Sequence, residues 1–428
     1  MSTAKLGSEI FPIKSETGCI LKWSWSTINL QNAFTTSCHR VDGQYFDPDN
    51  FDNFHNLPEK INDRELMIDG KWPGKGCEYC ERVETSGGTS DRQMTLMRKH
   101  VPDKIPPELF KDPTATSVTP TVLEIYFDNT CNQSCVYCAP QISSQINDEV
   151  KKFGKIEIGE MQILPLVKNK SRQQDLVAKL WNYLETNDRY KVIRHFNVLG
   201  GEPLLQKEFL QTIDFWDNHP NPSLTINLIS NLNLPPDQFK KRIEHLKKLV
   251  VNHKIYAAEI TASLDCWGPQ QDYVRWGMDL ENVFVPNFEY MLSQDWLKVG
   301  IHSCITSLTL KTMPSMIQQI NTWNINREHA IDLSFDVVVG QTWLKNAMHP
   351  LFFGPGIFDE DFKKIIDLMP VATQEQQSSK THMQGIAQAI HDGVRDDIKI
   401  DYLKQYLNTL DARRGTNWKL LYPWLETV

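Results

Sequence analysis

The sequence lacks long apolar runs, and this absence bounds the class of protein. No uninterrupted apolar stretch in its 428 residues approaches the length needed to span a bilayer. The first twenty residues hold no apolar segment with a cleavage pattern, so we expect no secretory signal. Internal repeats and low-complexity segments are also missing. The sequence therefore predicts a soluble protein of the cytoplasm with no membrane partner.

An excess of basic residues is also absent. Lys and Arg number 45 against 53 Asp and Glu, which gives a net charge of −8. A nucleic-acid-modifying enzyme more often carries a basic surface or a basic appended domain, so we expect no nucleic-acid partner. With 40% hydrophobic and 23% charged residues, the composition is that of a globular chain.

Cysteine is too sparse for a secreted disulfide framework. There are nine cysteines in 428 residues, and an odd number fits such a framework poorly. Seven of the nine fall within the first third of the chain. In a reducing compartment, such clustering indicates metal or iron–sulfur ligation. The nine are Cys19, Cys38, Cys77, Cys80, Cys131, Cys135, Cys138, Cys266 and Cys304.

The chain divides into three regions. Residues 1–115 are rich in Trp, Asn, Asp and Gly and show little periodicity, residues 116–345 alternate apolar strands with helical patterns, and residues 346–428 are helical. The alternation predicts an α/β fold with a mostly parallel sheet. Six βα units within about 220 residues fit a partial (βα)6 barrel better than a closed eight-unit barrel. The predicted strands are 122–127, 193–199, 224–229, 257–264, 299–305 and 331–338, and the predicted helices include 173–186, 236–250 and 312–324.

The first predicted strand is followed directly by three closely spaced cysteines. Cys131, Cys135 and Cys138 form a CxxxCxxC pattern on a loop. Three thiolates can bind three irons of a cubane cluster and leave the fourth iron open to a substrate. A zinc site without its fourth ligand, or three incidental cysteines, would give the same pattern. Zinc sites more often pair their ligands as CxxC…CxxC, so the spacing favours iron–sulfur ligation.

The second predicted strand ends in a glycine-rich turn, Gly200-Gly201-Glu202-Pro203. The two glycines let the backbone approach a ligand closely, and Glu202 supplies an acceptor for an ammonium group. Together with CxxxCxxC after strand one, this turn resembles the radical SAM superfamily. The resemblance implies a [4Fe–4S] cluster on the three cysteines, with its open iron chelated by the amino and carboxylate groups of S-adenosylmethionine (SAM).

Further positions match the superfamily by their place after later strands. Ser230 and Asn231 follow strand three and resemble the polar motif that holds the SAM ribose. Ser263 ends strand four, and together with Arg275 it resembles residues that meet SAM, with Arg275 pairing the carboxylate. Tyr137 occupies the position whose backbone lies near the adenine. An ordinary strand cap or surface residue is the alternative at each position.

A second group of cysteines lies in the N-terminal region. Taken alone, a CxxC pair with two distant cysteines predicts a four-cysteine zinc site. The surrounding residues resemble the auxiliary-cluster module of twitch-domain radical SAM proteins, which implies a second [4Fe–4S] cluster and leaves zinc as the alternative. The chain departs from that group at Lys22, where Pro is more frequent. The cysteines are Cys19, Cys38, Cys77 and Cys80, and the matching positions include Trp23, Arg64, Glu84, Ser90, Arg92, Ser143, Ser144, Arg413, Arg414, Trp418 and Trp424.

The resemblance implies an enzyme that reductively cleaves SAM and uses the 5′-deoxyadenosyl radical to abstract hydrogen from a substrate. We expect the electron to come from a flavodoxin- or ferredoxin-type reductant. We favour oxidation or epimerisation of a small polar substrate, such as a sugar, nucleotide or amino-acid derivative. Peptide or nucleic-acid modification is an alternative, and so is a non-catalytic iron–sulfur or zinc scaffold.

Polar residues recur on one face of the predicted strands. If this face lines the barrel, its groups need partners, because burying them unpaired costs free energy, and a polar substrate would supply such partners. Cys266 and Cys304 belong to neither cysteine group, and we expect both to be packing residues. The polar positions are Glu124, Tyr126, Asn197, Glu259, Thr261, His302, Ser334 and Asp336.

Overall fold

A nine-stranded sheet is the centre of the protein in this computed structural model. The structure describes residues 10–97, 102–159, 161–325, 327–338 and 347–428. The expected boundary at residue 345 lies outside these ranges. The strands are β1 Trp25–Asn29, β2 Phe34–Thr36, β3 Gln44–Tyr45, β4 Val122–Tyr126, β5 Ser134–Cys135, β6 Ile156–Ile158, β7 Met161–Ile163, β8 His195–Leu199, β9 Asn221–Ser230, β10 Ile255–Ser263, β11 Arg275–Trp276, β12 Leu297–Ile305 and β13 Asp332–Val337.

Helices follow most of the central strands and dominate the C-terminal region. Those of the first half are α1 Ile20–Ser24, α2 Pro58–Ile68, α3 Glu78–Thr85, α4 Asp91–Met97, α5 Pro107–Lys111, α6 Ser144–Phe153, α7 Lys170–Glu185 and α8 Lys207–Asn218. Those of the second half are α9 Pro236–Val251, α10 Pro269–Val274, α11 Val285–Leu292, α12 Met313–Trp323, α13 Asp359–Leu368, α14 Gln374–His391, α15 Asp397–Arg414, α16 Trp418–Leu421 and α17 Pro423–Glu426. In the described part of the chain, no helix combines the length and the apolarity needed to cross a bilayer.

The six predicted strands are confirmed as the parallel part of the sheet. β4, β8, β9, β10, β12 and β13 lie side by side in chain order, and each neighbouring pair is parallel. A parallel connection needs a crossover, and a helix supplies it in most of these units. The mixed α/β architecture with a large parallel sheet is therefore as expected.

The N-terminal region adds strands to this sheet, which the sequence analysis did not anticipate. β1 pairs in parallel with β4, β2 pairs antiparallel with β1, and β3 continues from β2. Ile28 and Phe54 of this region are fully buried in the main hydrophobic core. The region also has a small core of its own around Trp23, which includes Cys19 and Cys77. The N-terminal region is therefore packed both against the main sheet and around a small core that contains two of its cysteines.

The two faces of the parallel sheet differ in chemistry. One face carries large apolar side chains that pack against helices, and Phe196 and Ile260 on it are fully buried. The other face carries the polar positions that the sequence analysis predicted, because side chains alternate between the two faces of a strand. Ile229 on this polar face is 39% exposed, so solvent reaches it.

Candidate functional site

The three cysteines of the central motif lie on the loop between β4 and α6. Two serines fold this loop back on itself. The Ser144 hydroxyl accepts a hydrogen bond from the Cys131 amide at 3.1 Å and lies 3.1 Å from the carbonyl oxygen of the same residue. The Ser143 hydroxyl donates to the Gln133 carbonyl at 2.7 Å and caps α6 by accepting from the Ile146 amide. Backbone and serine groups therefore hold the loop.

A short antiparallel ribbon ties the same loop to the end of α10. β5 pairs with β11, so that Cys135 lies opposite Arg275. The Val136 amide donates to the Val274 carbonyl at 2.8 Å. The Val136 carbonyl in turn accepts from the Tyr406 hydroxyl of α15 at 2.8 Å. Elements from three parts of the chain thus converge on the cysteine loop.

The glycine-rich turn after β8 packs directly against the cysteine loop. Gly200 and Gly201 have φ values of 84° and 56°, a region that favours glycine. A Cβ atom on Gly201 would lie 2.2 Å from the Thr130 carbonyl oxygen. The Glu202 amide donates to this oxygen at 2.8 Å. The close approach that the glycines allow is therefore to the segment that precedes Cys131.

Glu202 is fully buried, and its carboxylate is satisfied by the chain itself. One oxygen accepts from the Ser230 hydroxyl at 2.8 Å and from the Leu204 amide at 3.1 Å, and the other accepts from the Asn231 amide at 2.6 Å. Burial raises the pKa of Glu202 to about 7. Pro203 begins the buried turn that follows. The sequence analysis gave Glu202 an ammonium partner, whereas here it joins the turn to the end of β9.

Asn231 connects the end of β9 to the first cysteine. Its side-chain amide lies 3.9 Å from the Cys131 sulfur and donates to Asn132 Oδ1 at 2.9 Å. Asn132 donates to the Asn233 carbonyl at 2.5 Å, and Asn233 donates to the Gly277 carbonyl at 2.6 Å. A chain of three amides therefore joins β9, the cysteine loop and the segment after β11.

Asp265, two residues after the end of β10, is a junction to which the sequence analysis gave no role. It is fully buried and accepts from Arg275 Nε at 2.8 Å and Nη2 at 2.9 Å. The Tyr137 hydroxyl donates to it at 2.6 Å and the Cys304 amide at 2.9 Å. Ser263, two residues earlier, lies opposite His302 at the end of β10. The predicted SAM-binding Arg275 and Tyr137 are thus both held by one carboxylate.

The four N-terminal cysteines are brought together from separate segments. Cys19 precedes α1, Cys38 follows β2, and Cys77 and Cys80 lie at the start of α3. Burial, together with the neighbouring thiols of Cys38 and Cys77, raises the pKa of Cys19 to about 12. Burial likewise raises the pKa of Cys77 to about 11, with added contributions from Cys38 and Cys80. Such mutual effects require thiols that lie near one another.

Other residues of the N-terminal motif brace the backbone around these cysteines. Arg92 pairs with Glu84 through Nε at 3.0 Å and Nη2 at 2.5 Å, and its Nη1 donates to the Gly18 carbonyl at 2.9 Å. Arg64, fully buried, donates from Nε to the Lys22 carbonyl at 2.8 Å. The backbone on both sides of the first cysteine is therefore fixed by arginines.

The donor chemistry of both cysteine groups suits a metal centre. Burial raises the pKa of Cys131 to about 12, and burial with the neighbouring thiols also raises the pKa of Cys138, so their thiolates need a nearby cation. Gln133 Nε2 and Asn129 Oδ1, in the same segment of the chain, are buried without a hydrogen-bond partner. Within the ranges described, no three or more Cys, His, Asp or Glu side chains stand in ready ligating positions. The residues fit a metal by the type of their donor atoms.

The C-terminal tail, quoted above for its two arginines, closes over the helix that follows the cysteine loop. Arg414 Nε donates to Glu149 Oε2 of α6 at 3.0 Å. Arg413 Nη2 donates to the Gly154 carbonyl at 2.8 Å, just beyond the end of α6. These contacts attach the C-terminal region to α6, the helix that follows the cysteine loop.

The polar face of the sheet contains a row of side chains in register, which we call the polar row. It runs across five neighbouring strands, as Glu124, Asn197, Asn227, Glu259 and Lys298. The sequence analysis placed the first, second and fourth on one face and missed Asn227 and Lys298. The alternation of side chains between the two faces of β9 and β12 would have identified both residues from the sequence.

The two unassigned cysteines differ in their surroundings. Cys266 is fully buried, and its amide donates to Gln271 Oε1 at 3.0 Å. Cys304 is half-buried on the polar face, opposite Asp336 of β13. The packing role expected of both suits the environment of Cys266 better than that of Cys304.

Comparison with known proteins gives few matches. No family model matches the chain, and no curated protein matches it. Among solved structures, the chain is similar to TYW1 with a lysine–pyruvate adduct bound, at 14% identity and a TM-score of 0.29. The match covers 58% of this chain and 70% of that one. At this TM-score it adds nothing to the argument about function, which rests on the residues described above.

Proposed function

We propose that this chain is a radical SAM enzyme in which Cys131, Cys135 and Cys138 hold a [4Fe–4S] cluster. The observation that carries the proposal is the single loop after β4 that bears all three thiols and is fixed by backbone and serine contacts. Three ligands leave one iron open, which a purely structural cluster does not need. When bound, the cluster supplies an electron for the cleavage of SAM.

In this proposal, the residues around the loop have two kinds of role: some contact SAM, and others position the residues that do. The turn at Gly200–Pro203 and the polar groups of Ser230, Asn231, Ser263, Arg275 and Tyr137 surround the SAM site. Glu202 and Asp265 act as positioning residues, because their oxygens accept hydrogen bonds from the chain itself. Arg275 retains its charge for a carboxylate while Asp265 fixes its orientation.

We propose a second metal centre on Cys19, Cys38, Cys77 and Cys80, with iron–sulfur favoured over zinc. Lys22 supports this, since it is buried beside these thiols and pairs with Asp63 at 2.6 Å. A buried cation favours thiolates, which are the form that binds metal. Four ligands would close this centre, so it suits electron transfer or bracing of the fold rather than substrate binding.

The finer expectations belong to the same proposal. The N-terminal module would be a twitch-like domain at 1–115, followed by a partial barrel at 116–345 and a helical region at 346–428. The substrate would be a small polar molecule, oxidised or epimerised in the cytoplasm, with a flavodoxin- or ferredoxin-type protein as reductant. The polar row supports the polar substrate, because it places five polar side chains in register on one face of the sheet.

The test is metal analysis after anaerobic reconstitution, with electron paramagnetic resonance and an assay of 5′-deoxyadenosine release from SAM. We expect about eight irons per wild-type chain and about four in the variant with Cys131, Cys135 and Cys138 all changed to Ala. Wild type should release 5′-deoxyadenosine under reducing conditions, and the variant should release none. Cys304→Ala is the matched control, since it removes a half-buried thiol outside both groups.

The outcomes separate the parts of the proposal. About four irons with one zinc in wild type, and no iron in the triple variant, would make the N-terminal centre a zinc site and leave the radical chemistry in place. Iron in both proteins without release of 5′-deoxyadenosine by wild type would favour an iron–sulfur scaffold. No iron in either protein would contradict the proposal.

A further inference from the structure

The polar row contains a buried carboxylate whose one basic neighbour within ion-pair distance, among the described residues, is an exposed histidine. The Glu124 side chain is 4% exposed, and its Oε1 accepts from the Thr27 hydroxyl at 2.9 Å. Its Oε2 lies 3.6 Å from Nε2 of His39, whose side chain is 64% exposed. Among the described residues, no lysine or arginine forms an ion pair with Glu124. Burial raises the pKa of Glu124, so ionisation there is costly until a cation approaches.

The other carboxylate of the row has lysines of the chain near it. Glu259 lies directly opposite Lys298 on β12. Lys298 and Lys104 both act to lower the pKa of Glu259, against its burial and the nearby Asp332. The two ends of the row are therefore different, and the end at Glu124 is the one that would gain from a cation supplied by a ligand.

Two amides next to Glu124 add hydrogen-bonding capacity. Asn227 Nδ2 donates to Asn197 Oδ1 at 2.6 Å, which orients both side chains. An amide has two donors and two acceptor lone pairs, so this contact uses only part of what the pair offers. Neighbouring strands lie about 4.8 Å apart, so these groups lie within the reach of one small molecule bound at Glu124.

The charge of the polar face disfavours an anionic ligand. Asp332 and Asp336 of β13 lie on the same face as Glu124 and Glu259, and Lys298 is the lysine that these strands place there. A phosphate or a second carboxylate would meet like charge over most of this surface. A cationic, hydroxylated molecule would meet complementary groups instead.

We propose that Glu124 anchors a protonated amine of the substrate, and that the substrate is an amino sugar or a similar non-phosphorylated, hydroxyl-rich amine. The ammonium group pairs with Oε2 of Glu124, the oxygen on the side of the exposed His39, and the hydroxyl groups bond to the amides of Asn197 and Asn227. This inference rests on the proposed function. It narrows the substrate from polar molecules in general to positively charged amines.

The test compares binding of glucosamine, N-acetylglucosamine and glucose to the reconstituted full-length protein by anaerobic equilibrium dialysis. We expect wild type to bind glucosamine at least tenfold more tightly than glucose. N-acetylglucosamine should bind no better than glucose, because acetylation removes the charge. Glu124→Gln keeps the acceptor for Thr27 and removes the charge, so it should weaken glucosamine binding at least tenfold and glucose binding less than twofold. The matched control, Glu259→Gln, should change glucosamine binding less than threefold.

Several results would overturn the inference. These are equal binding of the three sugars by wild type, no binding of glucosamine at 10 mM (roughly the weakest affinity of interest for a fragment), or a preference for the amine that survives Glu124→Gln. An equal loss in Glu259→Gln would also overturn it. The comparison of glucosamine with N-acetylglucosamine tests the role of the ligand's charge with the wild-type protein alone. The inference therefore stays testable if Glu124→Gln does not fold.

Failure of this inference and failure of the proposed function would give different experimental results. A wild-type protein that cleaves SAM without any preference for the amine would overturn only the substrate class. A protein that binds glucosamine through Glu124 but holds no iron would overturn the radical SAM proposal and leave an amine site.

Discussion

Replacing Gly201 by alanine should separate the glycine-rich turn from the cysteine loop. The added Cβ would lie 2.2 Å from the Thr130 carbonyl oxygen and 2.8 Å from backbone carbon of the same segment. Forcing a side chain into a left-handed conformation costs about 1–2 kcal/mol. Overpacking against backbone adds about 1–3 kcal/mol, since neither segment can move alone. We therefore expect a loss of about 2–5 kcal/mol, concentrated where the Glu202 amide donates to Thr130.

Gly74→Ala is a control with nearly the same backbone conformation. Gly74 has φ of 57° against 56° for Gly201, and no atom lies within 4 Å of its added Cβ. This variant should lose only the conformational term of about 1–2 kcal/mol. Urea unfolding and hydrogen exchange of the peptides that contain Thr130 and Glu202 measure the difference. If the two variants lose equal stability and the Glu202 amide stays protected in Gly201→Ala, the proposed packing of turn on loop is wrong.

Two further predictions concern buried charges. Asp265→Ala should destabilise the protein by about 3–5 kcal/mol, because Arg275 is left buried and unpaired, and adding Arg275→Met should recover part of this loss in urea unfolding; no recovery in the double variant would contradict it. Burial, with the nearby charges of Arg64 and Lys60, lowers the pKa of His55, so the unfolded chain takes up a proton near pH 6.5 that the folded chain resists. Stability should fall as the pH drops below about 6.5, by up to about 1.4 kcal/mol per pH unit, and the fall should be shallower in His55→Asn; parallel pH profiles would refute this role for the imidazole.

The parallel part of the sheet could be predicted because its signals are local. Each strand from β4 to β13 is a short apolar run followed in most units by a helical pattern, and the order of such units fixes which strands become neighbours. The sequence of β1 has no comparable apolar run followed by a helical pattern. Its sequence, Trp25 to Asn29, has no clear alternation, and its partner β4 begins about a hundred residues later. Pairing over such a separation depends on the tertiary fold.

The candidate site was predictable in its cysteines and less so in its polar groups. Spacing identifies Cys131, Cys135 and Cys138 as a set, because three thiols on one short loop must lie close together. Spacing does not tell which way a carboxylate points. Glu202 turns inward because Ser230 and two amides satisfy its oxygens. One amide is that of Leu204 in the same turn, but Ser230 and Asn231 lie at the end of the next strand, β9, so their position depends on the tertiary fold. Asp265 was likewise given no role, because its four hydrogen-bond donors come from separate segments.

The bond from Tyr406 to Val136 has a consequence for the order of events during synthesis. The two residues are 270 positions apart, so the loop that carries the cysteines gains this contact only after the ribosome has made the residues up to Tyr406. At about 5–20 residues per second, a ribosome needs roughly 15–50 seconds to cover that interval. During this time the thiols of the loop are exposed without their C-terminal cover. A protein that delivers iron to the nascent chain would therefore encounter a different surface around the cysteines from one that delivers iron to the finished chain.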